Sequence, residues 1–169
     1  LIDNASTNNL NVLFNFKQKN IKFEFIHGDI INKKIFDAIN VKIDVIIHLA
    51  SITNAEESFK IKKKLYKNNF GIFKNVVNFC KKKKAKLIHI SSTSIYGTQS
   101  EKVDESCSNL KPQSPYADIK LLEEKMLKKL NKKINFITFR FGTITGISKG
   151  MRFHTAVNKF CFNTVMKKE

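Results

Sequence analysis

Tyr116 and Lys120 stand four residues apart in Ser114-Pro115-Tyr116-Ala117-Asp118-Ile119-Lys120. On a helix that spacing puts both side chains on one face, a turn apart. A phenol with a pKa near 10 is a poor base at neutral pH, and an adjacent ammonium favours the phenolate. Such a pair can exchange a proton with a sugar or alcohol hydroxyl. A second group is at hand in Ser91-Ser92-Thr93-Ser94-Ile95-Tyr96-Gly97, where a serine hydroxyl in a strand-end turn can hold the same substrate oxygen. Taken alone, the Tyr–Lys spacing arises readily in a Lys-rich chain, and a surface pair without chemistry would fit it too.

These side chains need rigid elements behind them. Leu1-Ile2 reads as the end of a strand, and Ile21–Ile26, Asp44–Ala50, Lys86–Ser91 and Asn135–Arg140 read as four further strands. Helical periodicity covers roughly 10–19, 32–40, 56–84, 115–130 and 151–166, the third being one long helix with an irregular start. Strands alternating with helices predict an α/β fold, a doubly wound parallel sheet covered on both faces. Ligands in such sheets sit outside the carboxyl ends of the strands. The segments there are Asp3-Asn4, His27-Gly28-Asp29-Ile30, Leu49-Ala50-Ser51, Ser91 to Gly97, and Phe141-Gly142-Thr143, all rich in small and polar residues. The longest loop, 97–115, has Gly97 near its start and Pro112 and Pro115 near its end.

Composition narrows the class. The chain has 169 residues, 42% of them hydrophobic, which is enough for a core and too apolar for a disordered chain. No apolar run reaches the roughly 18 residues of a membrane span. No signal peptide is visible at Leu1-Ile2-Asp3-Asn4. The net charge is +17, yet of 31 basic residues all but Arg140 and Arg152 are Lys. Base and phosphate recognition favours the planar guanidinium, so the charge reads as a solvated surface, Lys81 to Lys84 included, and no nucleic-acid or membrane partner is expected. Cys80, Cys107 and Cys161 form no CxxC pair, which predicts a reducing, cytoplasmic compartment with no disulfide or zinc. His48 and His89 lie in buried-looking strands and read as hydrogen-bonded core residues rather than metal ligands; His27 and His154 add no ligand spacing.

The motifs also occur together. Leu1-Ile2-Asp3-Asn4, Gly28-Asp29-Ile30, Asp44 through Ala50, Asn68-Asn69-Phe70-Gly71, Ser91 through Gly97, Pro115 through Lys120, Arg140-Phe141-Gly142 and Gly150-Met151-Arg152-Phe153 follow one another in order. In that order the chain resembles the extended short-chain dehydrogenase/reductase superfamily, in particular the NAD-dependent epimerase/dehydratase family acting on nucleotide sugars. The resemblance implies a Rossmann-like sheet, NAD as cofactor, a nucleotide-sugar substrate and a homodimer. It assigns catalysis to Ser92, Tyr116 and Lys120. It assigns cofactor contacts to Asp3, Asn4, Asp29, Ile30, Leu49, Ala50, Ser51, Asn68, Tyr116, Lys120 and Phe141, and substrate contacts to Ser92, Thr93 and Arg152. Asp3 would accept from the adenosine ribose hydroxyls and repel a 2′-phosphate, which favours NAD over NADP. Dehydratases of the family place an Asp-Glu pair after the catalytic Ser/Thr. Thr93 and Ser94 stand there instead, which disfavours dehydration; Ser94 likewise disfavours the decarboxylating relatives. Epimerisation through a transient keto sugar is therefore expected. The alternatives are a sugar-nucleotide reductase or dehydrogenase of the same superfamily, and a non-catalytic NAD- or polyanion-binding protein.

None of the six glycines (28, 71, 97, 142, 146 and 150) forms the G-x-x-G-x-x-G turn that admits a pyrophosphate to a helix N-terminus. The expectation is that residues 1–169 are a partial NAD-binding domain, without the family's first strand and glycine-rich turn. About 142–169 would lead toward a substrate-binding lobe.

Overall fold

A computed structural model describes residues 1–7, 22–53, 57–153 and 155–167. The helix expected over 10–19, the first residue of the strand expected over Ile21–Ile26, and His154 lie outside the described residues. The chain divides into two units, Leu1–Gly28 with Thr143–Glu169, and Asp29–Gly142.

The larger unit holds a parallel sheet of three strands, β3 (Val45–His48), β4 (Lys86–Ser92) and β5 (Phe136–Phe141), in that order. Val45 pairs with Lys86 and His48 with His89; Leu87 pairs with Phe136 and Ser92 with Phe141. Burial alternates along β4, with Leu87, His89 and Ser91 buried and Ile88 and Ile90 less so. The two faces of a strand meet different surroundings, so this alternation shows which face carries the core. Helices α2 (Gly71–Lys83) and α3 (Pro115–Lys129) cover the His89 face. They bury Phe73, Val77, Ala117, Ile119 and Leu127 there.

On the other face of the three strands Val45, Ile47, Ile137, Phe139 and Phe141 are exposed. One sheet does not run through all the described residues. The smaller unit carries its own parallel pair, β1 (Ile2–Asp3) and β2 (Ile26–His27), with Ile2 opposite Ile26. The strand expected over Ile21–Ile26 is thus reduced to its last step, because Lys22–Phe25 make no ladder. That unit also contains α4 (Ala156–Lys167), where the Phe153 and Phe162 rings meet edge-on at 4.7 Å.

Helix boundaries follow local chemistry. Ser114 caps α3 by accepting from the Ala117 N–H at 3.2 Å, and Pro115 takes the first helical position, where a missing N–H is harmless. At its other end α2 stops at Lys84, whose left-handed backbone (φ 54°) closes the helix before β4. The helix expected over 32–40 is instead a 3₁₀ segment, Lys33–Ala38, started by the Asn32 side chain accepting from Lys34 N–H. The helix expected over 56–84 is composite. A 3₁₀ turn at Glu57–Phe59 precedes α1 (Lys62–Leu65), and a π-helical turn at Tyr66–Phe70 joins α1 to α2.

Candidate active site

Strand β4 ends at Ser92, whose extended backbone (φ −147°) caps the 3₁₀ turn Thr93–Ile95. The Ser92 hydroxyl oxygen accepts from the Ser94 N–H at 3.2 Å and from the Ser94 hydroxyl at 2.8 Å. An oxygen that accepts twice keeps its own proton to donate, so Ser92 is prepared to hold an anionic or carbonyl oxygen. Ser94 supplies this, a role the sequence did not disclose. Thr93 leans the other way and donates to the Phe141 carbonyl at 3.4 Å.

Helix α3 packs on that turn. The loop between them is drawn in by Lys111 N–H donating to the Tyr96 carbonyl at 3.3 Å. Gly97 permits this approach. Its φ is +66°, and a Cβ built there would overlap the Lys111 carbonyl oxygen.

On α3, Tyr116 is half-buried, and Lys120 places its ammonium 5.8 Å from the centre of the Tyr116 ring, within cation–π range. Lys120 is 3% exposed, and its Nζ donates to Glu123 Oε2 at 2.9 Å. The same oxygen meets His89 Nε2 at 2.9 Å, while His89 Nδ1 faces the Thr138 hydroxyl at 3.3 Å. Burial alone would raise the Glu123 carboxyl; the His89 hydrogen bond and the Lys120 charge outweigh it and hold the group below the usual carboxylate range. His48, buried against Phe73, is pushed down to about 4, first by burial and then by the Lys120 charge. His89 is therefore a hydrogen-bonded core residue, as the strand pattern implied, and one linked through Glu123 to Lys120.

A second ion pair stands beside the first. Arg140 donates to both Glu124 oxygens, from Nε at 3.0 Å and Nη2 at 2.8 Å, and from Nη1 to the Tyr96 hydroxyl at 2.9 Å. This fork ties β5, α3 and the Ser92 turn together. Burial opposes ionisation of Glu124, and the Arg140 hydrogen bonds still keep it low; they in turn hold Arg140 above its ordinary range.

The remaining expected residues are placed as follows. Leu49, Ala50 and Ser51 follow β3, with Leu49 well exposed and Ser51 donating to the Ile52 carbonyl at 3.4 Å. Asn68 lies in the π turn, donating to Asn69 Oδ1 at 3.2 Å. Asn69, which the sequence did not single out, is buried and clamps Ile52, accepting from its N–H at 3.0 Å and donating to its carbonyl at 2.9 Å. Asp29 Oδ1 accepts from the Ile31 N–H at 2.9 Å, and the buried Ile30 has its carbonyl held by Asn75 at 3.0 Å. Phe141 ends β5 and stacks on Phe139. All of these belong to the unit that holds Ser92, Tyr116 and Lys120. Asp3, Asn4 and Arg152 belong to the other unit. There Asp3 Oδ1 accepts from Ala5 N–H at 2.6 Å, Asn4 Oδ1 from Ser6 N–H at 3.1 Å, and the Arg152 carbonyl from Asn158 at 3.1 Å. Among the described residues no group of three or more His, Cys, Asp and Glu could hold a metal ion, and no helix is long and apolar enough to cross a membrane.

Within the unit Asp29–Gly142, the half-buried Asp29 carboxylate can accept hydrogen bonds, and Tyr116 and Lys120 supply a phenol and an ammonium. No glycine-rich turn for a pyrophosphate is present in the 169 residues.

Comparison with known proteins agrees. A model of the NAD dependent epimerase/dehydratase family matches residues 2–168. The dTDP-D-glucose 4,6-dehydratase of Dictyostelium discoideum is 28% identical over 144 residues, covering 76% of this chain and 33% of the relative. The UDP-glucose 4-epimerase of the same organism is 31% identical over 134 residues, covering 77% and 39%. Among solved structures, the UDP-glucuronic acid 4-epimerase from Bacillus cereus, in complex with UDP-glucuronic acid and NAD, superposes with a TM-score of 0.77 at 29% identity. It covers 97% of this chain and 54% of that one. The chain thus spans about a third of the length of the curated relatives it matches. With a Rossmann-like fold of open parallel sheets and motifs in family order, it belongs to the NAD-dependent epimerase/dehydratase family.

Proposed function

We propose that this chain is the cofactor-side part of a nucleotide-sugar epimerase that inverts a sugar carbon through a keto sugar, with Ser92, Tyr116 and Lys120 as its catalytic residues. The observation that carries this reading is the turn after β4. Where a dehydratase needs a carboxylic acid and a carboxylate for elimination, Thr93 bonds a backbone carbonyl and Ser94 bonds Ser92. Neither hydroxyl can serve as a base at neutral pH, so the turn can orient a sugar oxygen but cannot extract a proton from carbon.

The order of the family's motifs along the chain supports the following roles. Tyr116, as phenolate beside the Lys120 ammonium, takes the hydroxyl proton and later returns it. Ser92, primed by Ser94, donates to the same sugar oxygen and stabilises it as charge develops. Lys120 supports the phenolate and reaches the nicotinamide ribose. In the larger unit Asp29 is proposed to accept from the adenosine ribose, with Ile30, Leu49, Ala50, Ser51, Asn68 and Phe141 as further cofactor contacts and Thr93 as a substrate contact; in the smaller unit Asp3 and Asn4 are proposed as cofactor contacts and Arg152 as a substrate contact. NAD, when bound, supplies a hydride acceptor that gives the hydride back within one turnover.

The test uses the full protein that carries this segment, incubated with a panel of UDP- and dTDP-sugars without added NAD. Epimer formation without NADH accumulation is expected, and Tyr116→Phe should lower kcat by about 10²–10⁴-fold while leaving the fold intact. A 4-keto-6-deoxy product would assign dehydration and overturn the reading; stoichiometric NADH would assign a dehydrogenase.

A further inference from the structure

A lysine that supports a phenolate is ordinarily open to its cofactor. Here Lys120 is 3% exposed and its ammonium is already engaged by a carboxylate one turn along the same helix. Glu123 is 1% exposed, with one oxygen shared between Lys120 Nζ and His89 Nε2, each at 2.9 Å, and its other oxygen, Oε1, buried with no hydrogen-bond partner among the described residues. A buried carboxylate with an empty lone-pair site is costly to keep unless its charge has a task.

We propose that Glu123 is a positioning residue that anchors the Lys120 ammonium beneath the Tyr116 ring and partly offsets its field, so that Glu123 sets how readily Tyr116 ionises. The inference rests on Tyr116 and Lys120 being the catalytic pair. Lys120 acts on Tyr116 from 5.8 Å at the ring centre, and a negative charge bonded to the same ammonium subtracts from that action. His89 fixes the carboxylate from the strand side. With a neutral ring, donation from Nε2 to Glu123 leaves Nδ1 to accept from Thr138. The charged and titratable groups facing this cluster are His48 from β3, His89 from β4, and Arg140 from β5 with its partners Glu124 and Tyr96. The segments before α2 that pack on α3 bring charges that are exposed, such as Glu57 and Lys62. Arg140 is neutralised by its bidentate bond to Glu124. Glu123 is therefore the charge whose removal changes the field at Tyr116 most directly.

The experiment titrates tyrosinate absorbance near 295 nm in the full protein without substrate, subtracting the Tyr116→Phe protein to isolate Tyr116. Glu123→Gln keeps the shape and the bond to Lys120 but removes the charge, and should move the Tyr116 midpoint down by about 1 pH unit. Glu123→Asp, which keeps the charge, should leave it within a few tenths of a unit. An unmoved midpoint in Glu123→Gln would overturn the proposal and leave Glu123 as a packing residue. Should Glu123→Gln fail to fold, the charge is removed in a Lys120→Met background instead: the Tyr116 midpoint in Lys120→Met with Glu123→Gln should lie below that in Lys120→Met alone, and equal midpoints overturn the proposal. The titration needs no turnover. It stands or falls separately from the epimerase reading, which Tyr116→Phe kinetics decide.

Discussion

The proposal for Ser92, Tyr116 and Lys120 rests on residue types and order that the sequence itself displays. Glu123 was not legible in that way. A carboxylate three residues after a lysine, in a helix with Lys125, Lys128 and Lys129, reads as a solvated pair. It becomes an interior charge only because β4 brings His89 beneath α3, a contact between residues 34 apart in sequence. The strand pattern did foretell the burial of His48 and His89, and burial has a measurable consequence. His48 titrates near 4 in the folded chain against an ordinary value of 6.5, so the unfolded chain binds the extra proton first. Stability is full above pH 6.5 and declines as pH falls toward 4, by on the order of 3 kcal/mol across the window. Urea unfolding of the full protein at pH 7 and pH 4.5 should show this loss. His48→Leu should flatten the part of the slope between pH 6.5 and 5, and an unchanged slope there would assign it to other groups.

At the scale of elements, α3 matched its expected span to within a residue because Ser114 and Pro115 mark its start with backbone chemistry. The π turn at Tyr66–Phe70 carried no such mark. Its extra residue is stabilised by tertiary contacts, Asn69 on the Ile52 backbone among them, which periodicity cannot register. The 3₁₀ segment Lys33–Ala38 was read as helix because both conformations serve a short apolar pattern. The loop after the Ser92 turn depends on one glycine. In Gly97→Ala the new methyl must displace the Lys111 carbonyl and a left-handed backbone must tolerate a Cβ, so a loss of about 1–3 kcal/mol is expected. Thermal unfolding would show it, together with a higher KM because the loop starts beside the turn proposed to hold the sugar oxygen. Unaltered values of both would mean the loop accommodates the methyl.

For the whole molecule, motif order carries the family, while the exposed residues on one face of β3 and β5 cannot be read from the sequence, because strands buried on one side or both show the same apolar runs. Ile47 is 58% exposed and Phe139 43% exposed on the two outer strands of one three-stranded sheet, an apolar surface of the kind that associates. Residues 1–169 expressed by themselves should form soluble aggregates in light scattering and bind a hydrophobic dye. They should bind NAD with a dissociation constant weaker than about 1 mM, given no pyrophosphate turn. A monodisperse monomer with submillimolar NAD affinity would contradict both.

The parallel register also governs how the chain reaches this state. Val45 meets Lys86, and Leu87 meets Phe136, across about forty to fifty intervening residues, so neither ladder can begin until a long loop has closed. The helices between, α2 and α3, rest on local hydrogen bonds and can form on the way. Folding should therefore be slow and late in its strands, with the apolar edge of β3 open to other chains during synthesis. Dependence on chaperones would then reflect the order of strand pairing rather than weakness of the finished core.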